Sequence, residues 1–131
     1  MTGCKRADHI QCTDAAVNEW LHDAEEEIET ARCLLQHDRY QHALVHSQQA
    51  VEKALKAMHL KRFGKKDRTH DLVLMAREIA LPAKYMDGCM ALTMVYVTRY
   101  VDAPPIENPC EMAEELMPLA EEIVEWIRTR L

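Results

Sequence analysis

The sequence has 131 residues, a net charge of −6, three Gly, five Pro and one Phe against eight Met, which sets one domain rich in helix formers. At this length a chain buries about two thirds of the surface its unfolded form exposes, so it needs neither disulfide nor metal to fold. The acidic balance excludes general coating of nucleic acid, and no apolar run reaches the ~20 residues that span a bilayer.

The five cysteines, Cys4, Cys12, Cys33, Cys89 and Cys110, are odd in number and irregular in spacing, with no CxxC pair. They read as reduced thiols of a cytoplasmic protein. Residues 1–13 carry a basic pair and no apolar core, unlike a secretory signal. They are expected at the periphery of a single domain covering 1–131.

The first periodic segment runs from Asp14 to Gln36. Val17, Trp20, Leu21, Ala24, Ile28, Ala31, Leu34 and Leu35 recur at three- and four-residue steps, which predicts an amphipathic helix. Thr13 or Asp14 is the expected cap. His37-Asp38-Arg39 interrupts the pattern as a tight turn. A second helix is expected from Tyr40 to Arg62, with Ala43, Leu44, Ser47, Ala50, Val51, Ala54, Leu55 and Met58 inward and Gly64 as its stop.

A basic loop follows, with Thr69 as the expected cap of a short helix from His70 to Ile79. Leu81-Pro82 ends that helix. A fourth helix is expected over 83–99, and its apolar run Met90 to Val97 calls for burial against other helices or a second copy. Residues 102–109 form a proline-rich loop. The last helix is expected from Cys110 to Arg130, with Pro118 requiring a local adjustment. Long helices and short turns predict an all-α, up-and-down four-helix bundle with an additional short helix.

Charge is unevenly spread. Asp14 to Glu29 holds seven acids and no base, as does Glu107 to Glu125, whereas Lys53 to Arg68 holds seven bases against Asp67 alone. Lys61, Arg62, Lys65, Lys66 and Arg68 crowd one helix end. Some of them offset the helix dipole. Lys65, Lys66 and Arg68 are candidate contacts to phosphate or RNA, with binding that weakens in salt.

Gln49, Glu52, Lys53 and Lys56 share one side of the second helix at three- and four-residue steps. They form either a solvated face, in which Glu52 and Lys56 are an i,i+4 pair worth ~0.2–0.5 kcal/mol, or a polar strip lining a ligand cleft. Arg99, Tyr100 and Asp102 are the next constellation. Arg99 suits a phosphate clamp and Tyr100 a base-stacking platform. Alternatively Arg99 pairs with Asp102 to fix the turn and Tyr100 fills core. His70 is either a helix-start residue or a proton donor beside the basic loop. His42 and His46 lie one turn apart, but two histidines make no zinc site. No metal site is expected.

The run His46-Ser47-Gln48-Gln49-Ala50-Val51-Glu52-Lys53-Ala54-Leu55-Lys56-Ala57 resembles the signature of the HEPN family. Tyr40, Ala43 and Leu44 before it, Thr69-His70-Asp71-Leu72 after it, Thr98-Arg99-Tyr100-Val101-Asp102-Ala103, and the closing helix with Ala120 and Trp126 agree. The likeness covers about Asp14 to Leu131.

The resemblance implies a four- to five-helix bundle, usually a homodimer, often working beside a separately encoded minimal nucleotidyltransferase as a toxin and antitoxin pair. It implies a ligand strip of Gln49, Glu52, Lys53, Lys56, Arg99, Tyr100 and Asp102, taking a nucleotide or RNA and requiring no cofactor. Some members are metal-independent ribonucleases that carry Arg, four to six residues, then His on a late helix. Here the residues at that spacing after Arg99 are Pro104, Pro105 and Ile106, none of which moves a proton. Arg32 with His37 and Arg39 with His46 match the spacing, but roughly one or two such matches arise by chance.

Two functions follow: a dimeric nucleotide- or RNA-binding and partner-docking module, or a ribonuclease with an altered site. In the second, Arg99 clamps phosphate and His70, His46 or Glu52 transfers protons. A third outcome is a bundle serving only as a partner surface.

Overall fold

The computed structural model describes residues 2–65 and 68–131, with side chains from Asp14 onward. Five α-helices follow one another: α1 (Thr2–Gln36), α2 (Tyr40–Phe63), α3 (Leu72–Glu78), α4 (Met86–Tyr96) and α5 (Pro109–Arg128). Single 3₁₀ turns at Ala83–Tyr85 and Val97–Arg99 flank α4. The fold is all-α, a bundle of four longer helices with the short α3 packed beside them.

Three local expectations are corrected. α1 passes through Asp14 without a break, so neither Thr13 nor Asp14 is a cap. α3 begins at Leu72, and its N-cap is Asp71 rather than Thr69. Asp71 has extended backbone and its carboxylate accepts the Leu74 N–H at 3.1 Å. The helix expected over 83–99 is divided, because its first and last turns tighten into 3₁₀ geometry. α5 begins at Pro109, where a missing N–H costs nothing, and it continues through the exposed Pro118.

The turns hold as their residues dictate. Asp38 adopts φ 58°, a conformation its short polar side chain tolerates. This lets the Arg39 N–H reach back to the Leu34 carbonyl at 2.9 Å. Gly64, at φ 73°, ends α2 with its N–H on the Leu60 carbonyl. Ala80, at φ 57°, ends α3, and the Leu81 N–H returns to the Ala76 carbonyl at 2.9 Å.

α2 is the central rod. It packs chiefly against α1 and α5, and also touches α3 and α4. Its inner stripe of Ala43, Leu44, Ser47, Ala50, Val51, Ala54, Leu55 and Met58 is buried. On the two helices packed against it, Val17, Ala24, Ile28 and Ala31 of α1 and Leu116, Ala120, Ile123 and Ile127 of α5 are buried. Burying each large aliphatic side chain stabilises the bundle by roughly 1.5–3 kcal/mol. The apolar run of α4 divides: Leu92 and Val95 are buried, whereas Met90, Met94 and Val97 are exposed.

Candidate functional site

A second stripe of α2, displaced from the apolar one, carries Gln48, Glu52 and Lys56 at four-residue steps. All three are buried. The exposed i,i+4 pair of the sequence reading is therefore corrected: Glu52 is 5% and Lys56 7% exposed. Other elements cover the stripe. Trp20 of α1 lies 5.8 Å from the Lys56 ammonium, and the segment before α3 lies over Glu52.

Glu52 is the hub. Its Oε1 accepts from the Gln48 amide at 2.9 Å and from His70 Nδ1 at 2.9 Å. Its Oε2 accepts from the Lys56 ammonium at 3.1 Å. Gln49 donates in turn to the Gln48 carbonyl oxygen at 2.7 Å. Burial works to raise the Glu52 pKa. The bonds from His70 and Lys56, the Lys56 charge and the Gln48 amide outweigh it and hold the carboxyl below its ordinary value.

A carboxylate only accepts hydrogen bonds, so Nδ1 of His70 carries the proton and Nε2 remains as the acceptor of the neutral ring. The His70 side chain is about half exposed. Its backbone is tied on both sides. The Asp71 N–H donates to Thr69 Oγ1 at 3.0 Å. The Leu72 N–H donates to Thr93 Oγ1 at 3.1 Å, and that hydroxyl donates to the Cys89 carbonyl.

His70 stacks on Tyr96, with ring centroids 4.2 Å apart and planes 19° apart. The Arg99 guanidinium lies 3.8 Å from the centroid of the same ring. Two planar groups this close to one ring cannot share a face without overlap, so Tyr96 is sandwiched between imidazole and guanidinium. Arg99 also donates to the Tyr96 carbonyl at 3.0 Å and to the Tyr100 hydroxyl at 3.1 Å. The Gln41 amide anchors this end by donating to the Thr98 carbonyl at 3.3 Å. A row thus leads from a buried carboxylate through an imidazole and a phenol to a guanidinium. It offers a proton acceptor and a fixed positive fork at one surface.

The other candidates divide. Lys53 leaves the strip and approaches Glu27 of α1 at 3.8 Å, where His46 Nδ1 also lies 3.3 Å from the carboxylate. No bond joins Arg99 to Asp102 among the described residues, so the pairing expected to fix the turn is corrected. Tyr100 is 57% exposed and fills no core. At the end of α2, Arg62 donates to the Ile79 carbonyl at 2.9 Å and Lys61 lies 3.9 Å from Asp14. Lys65 and Arg68 are exposed; Lys66 lies outside the described residues.

Gln48, Tyr96 and Thr93 were missed by the sequence reading. Gln48 lies one turn before Glu52 and Tyr96 one turn before Arg99, and that spacing alone could have raised them. Among the described residues no three His, Cys, Asp or Glu side chains gather as a metal would need. Cys33, Cys89 and Cys110 are free thiols, and no described helix is long and apolar enough to cross a membrane. A cleft of about 610 Å³ opens beside Arg99, lined by Gln41, His42, Val45, Tyr100 and Val101.

Comparison with known proteins places these features in company. The HEPN domain model matches residues 17–130. A crystal structure of a Thermus thermophilus protein superposes with a TM-score of 0.76 at 28% identity, covering 88% of this chain and 98% of that one. An archaeal HEPN homologue gives 0.71 at 28% identity, covering 87% and 96%. A HEPN domain protein of Thermotoga maritima gives 0.67 at 28% identity, covering 85% and 95%. No curated protein matches.

Proposed function

The chain belongs to the HEPN domain family, and from that premise we propose that it is a dimeric, cytoplasmic module that binds a nucleotide or RNA and docks a separately encoded minimal nucleotidyltransferase. The observation that carries the ligand half is the Tyr96 sandwich, with His70 on one face and Arg99 on the other. A phosphate sits on the Arg99 fork and a ribose hydroxyl beside it donates to His70 Nε2, while Glu52 holds the imidazole in the tautomer that leaves that nitrogen as an acceptor. Both faces of Tyr96 are occupied, so a base stacks on the exposed Tyr100 instead. Lys65 and Arg68 extend the attraction for a longer RNA. The dimer half is supported by Val101, an apolar side chain left fully in water beside the Arg99 cleft, where a second copy would face the first.

Titration of the full chain with adenosine or guanosine monophosphate and with a short single-stranded RNA tests the ligand half. Binding should weaken with salt and fall tenfold or more in Arg99→Ala. Affinity that survives this change, or ignores ionic strength, overturns it. Sedimentation of Val101→Asp tests the dimer: a monomer is expected from it and a dimer from the parent.

One observation favours a second reading, ribonuclease activity: the His70–Glu52 pair is a base held by a carboxylate. His70 Nε2 would take the proton of a ribose 2′-hydroxyl, O2′ would bond to phosphorus, and the P–O5′ bond would break. Arg99 would neutralise the phosphorane, and the leaving oxygen would take its proton from water. Parent protein that leaves structured and single-stranded RNA intact ends this reading, as does cleavage that persists in His70→Ala.

A further inference from the structure

We infer that the groove between α4, the proline-rich loop and the first turns of α5 docks a basic, amphipathic helical segment of a partner protein. The inference rests on the partner-docking half of the proposed function and not on the phosphate site. The groove has a volume of about 560 Å³. Met94, Val97, Ile106 and Met112 give its lining apolar surface, and Glu107, Glu111 and Glu115 give it carboxylates.

Two features call for a cationic, apolar occupant. Met94 is 65% and Val97 48% exposed, large apolar surface left in water beside a preformed hollow. Methionines adapt their shape to an incoming side chain, and Pro104 and Pro105 stiffen the rim so that little ordering is needed on binding. The acids are the second feature. Glu111 and Glu115 are exposed one turn apart on α5, a spacing at which like charges oppose the helix, and the exposed Glu107 lies in the loop just before that helix. Further along α5 two acids are neutralised within the chain, Glu121 by Arg32 at 3.1 Å and Glu125 by Arg128. No base does so for the groove's three among the described residues.

Glu111 and Glu115 span ~6 Å of helix and suit Lys or Arg residues one turn apart on a partner, beside a Leu or Met stripe, with Glu107 available to a further base. The apolar lining holds the segment; the carboxylates select its charge and set its direction.

The probe is a synthetic three-turn helical peptide with Lys at every fourth position flanking a Leu stripe, titrated into the full-length protein and followed by amide chemical shifts. Saturable one-to-one binding is expected, with shifts at Met94, Ile106 and Glu111. The double variant Glu111→Lys/Glu115→Lys should weaken it about tenfold or more, and Met94→Gln should weaken it independently. Glu19→Lys/Asp23→Lys, an equally exposed acidic pair on α1, should leave it unchanged. Equal loss in the α1 variant, equal binding of a scrambled peptide, or shifts outside the groove overturns the proposal. So does a parent dimer that the Glu111→Lys/Glu115→Lys change converts to monomer, because a second copy then covers the groove. Nucleotide binding on the same samples reports the phosphate site separately, so failure of one half does not pass for failure of the other.

Discussion

His70 and Glu52 stand 2.9 Å apart, Nδ1 to Oε1, although the loop that carries His70 begins only after α2 has ended. The bond joins a half-exposed imidazole to a buried carboxylate that also holds Lys56. It ties the segment before α3 to the central helix and sets which imidazole nitrogen is left for a ligand.

Removing the hub should cost more than removing its neighbours. Glu52→Ala leaves the Lys56 ammonium buried without its partner, and breaking such a pair typically costs about 3–5 kcal/mol. His70→Ala removes a half-exposed partner and should cost well under half of that. Urea unfolding of both variants checks the order. A Glu52→Ala cost no larger than that of His70→Ala contradicts the hub.

The same carboxyl links stability to acid. Its folded pKa lies below the ordinary value, which is about 4.3 for an unfolded glutamate. Its contribution is therefore fully present above about pH 4.3 and is lost as pH falls through the lowered folded value. The stability margin of the parent over Glu52→Gln should shrink as pH is lowered from about 5 toward 3. A margin that grows over that range has the wrong sign.

Arg99 is exposed, and among the described residues its hydrogen bonds stay within its own turn, to the Tyr96 carbonyl and the Tyr100 hydroxyl. Arg99→Ala should change stability by under about 1 kcal/mol. Nucleotide or RNA affinity should nevertheless fall tenfold or more, and the salt dependence should flatten by about one counterion. Arg99→Lys should restore charge but only part of the affinity, because the planar fork is lost. Thermal melts and titrations at two salt concentrations separate the effects.

Asp71 caps α3 and follows His70 directly. Asp71→Ala should cost ~1 kcal/mol, as caps usually do. It should also loosen the seat of His70 on Tyr96, so ligand affinity should drop without any loss of a contacting residue. Asp71→Asn, which still accepts from the Leu74 N–H, should recover both. An alanine variant that loses stability but binds normally would show that the cap does not orient His70.

Local chemistry made much of this fold readable from the chain. The three- and four-residue recurrence of Leu44, Val51, Leu55 and Met58 defined α2 and Gly64 marked its end, since each of these acts through neighbours in sequence, whereas α3 stops at Glu78 with a left-handed Ala80, ahead of the Leu81-Pro82 stop. Periodicity also placed Glu52, Lys53 and Lys56 on one side of α2. It could not say what lies over that side. The tertiary structure decided it: Trp20 and the His70 segment close over Glu52 and Lys56, while Glu27 draws Lys53 away. The sandwich of His70, Tyr96 and Arg99 was hidden for the same reason. Helical spacing sets the direction a side chain leaves its own axis, but the partner it meets depends on how distant segments pack, and no local pattern records that.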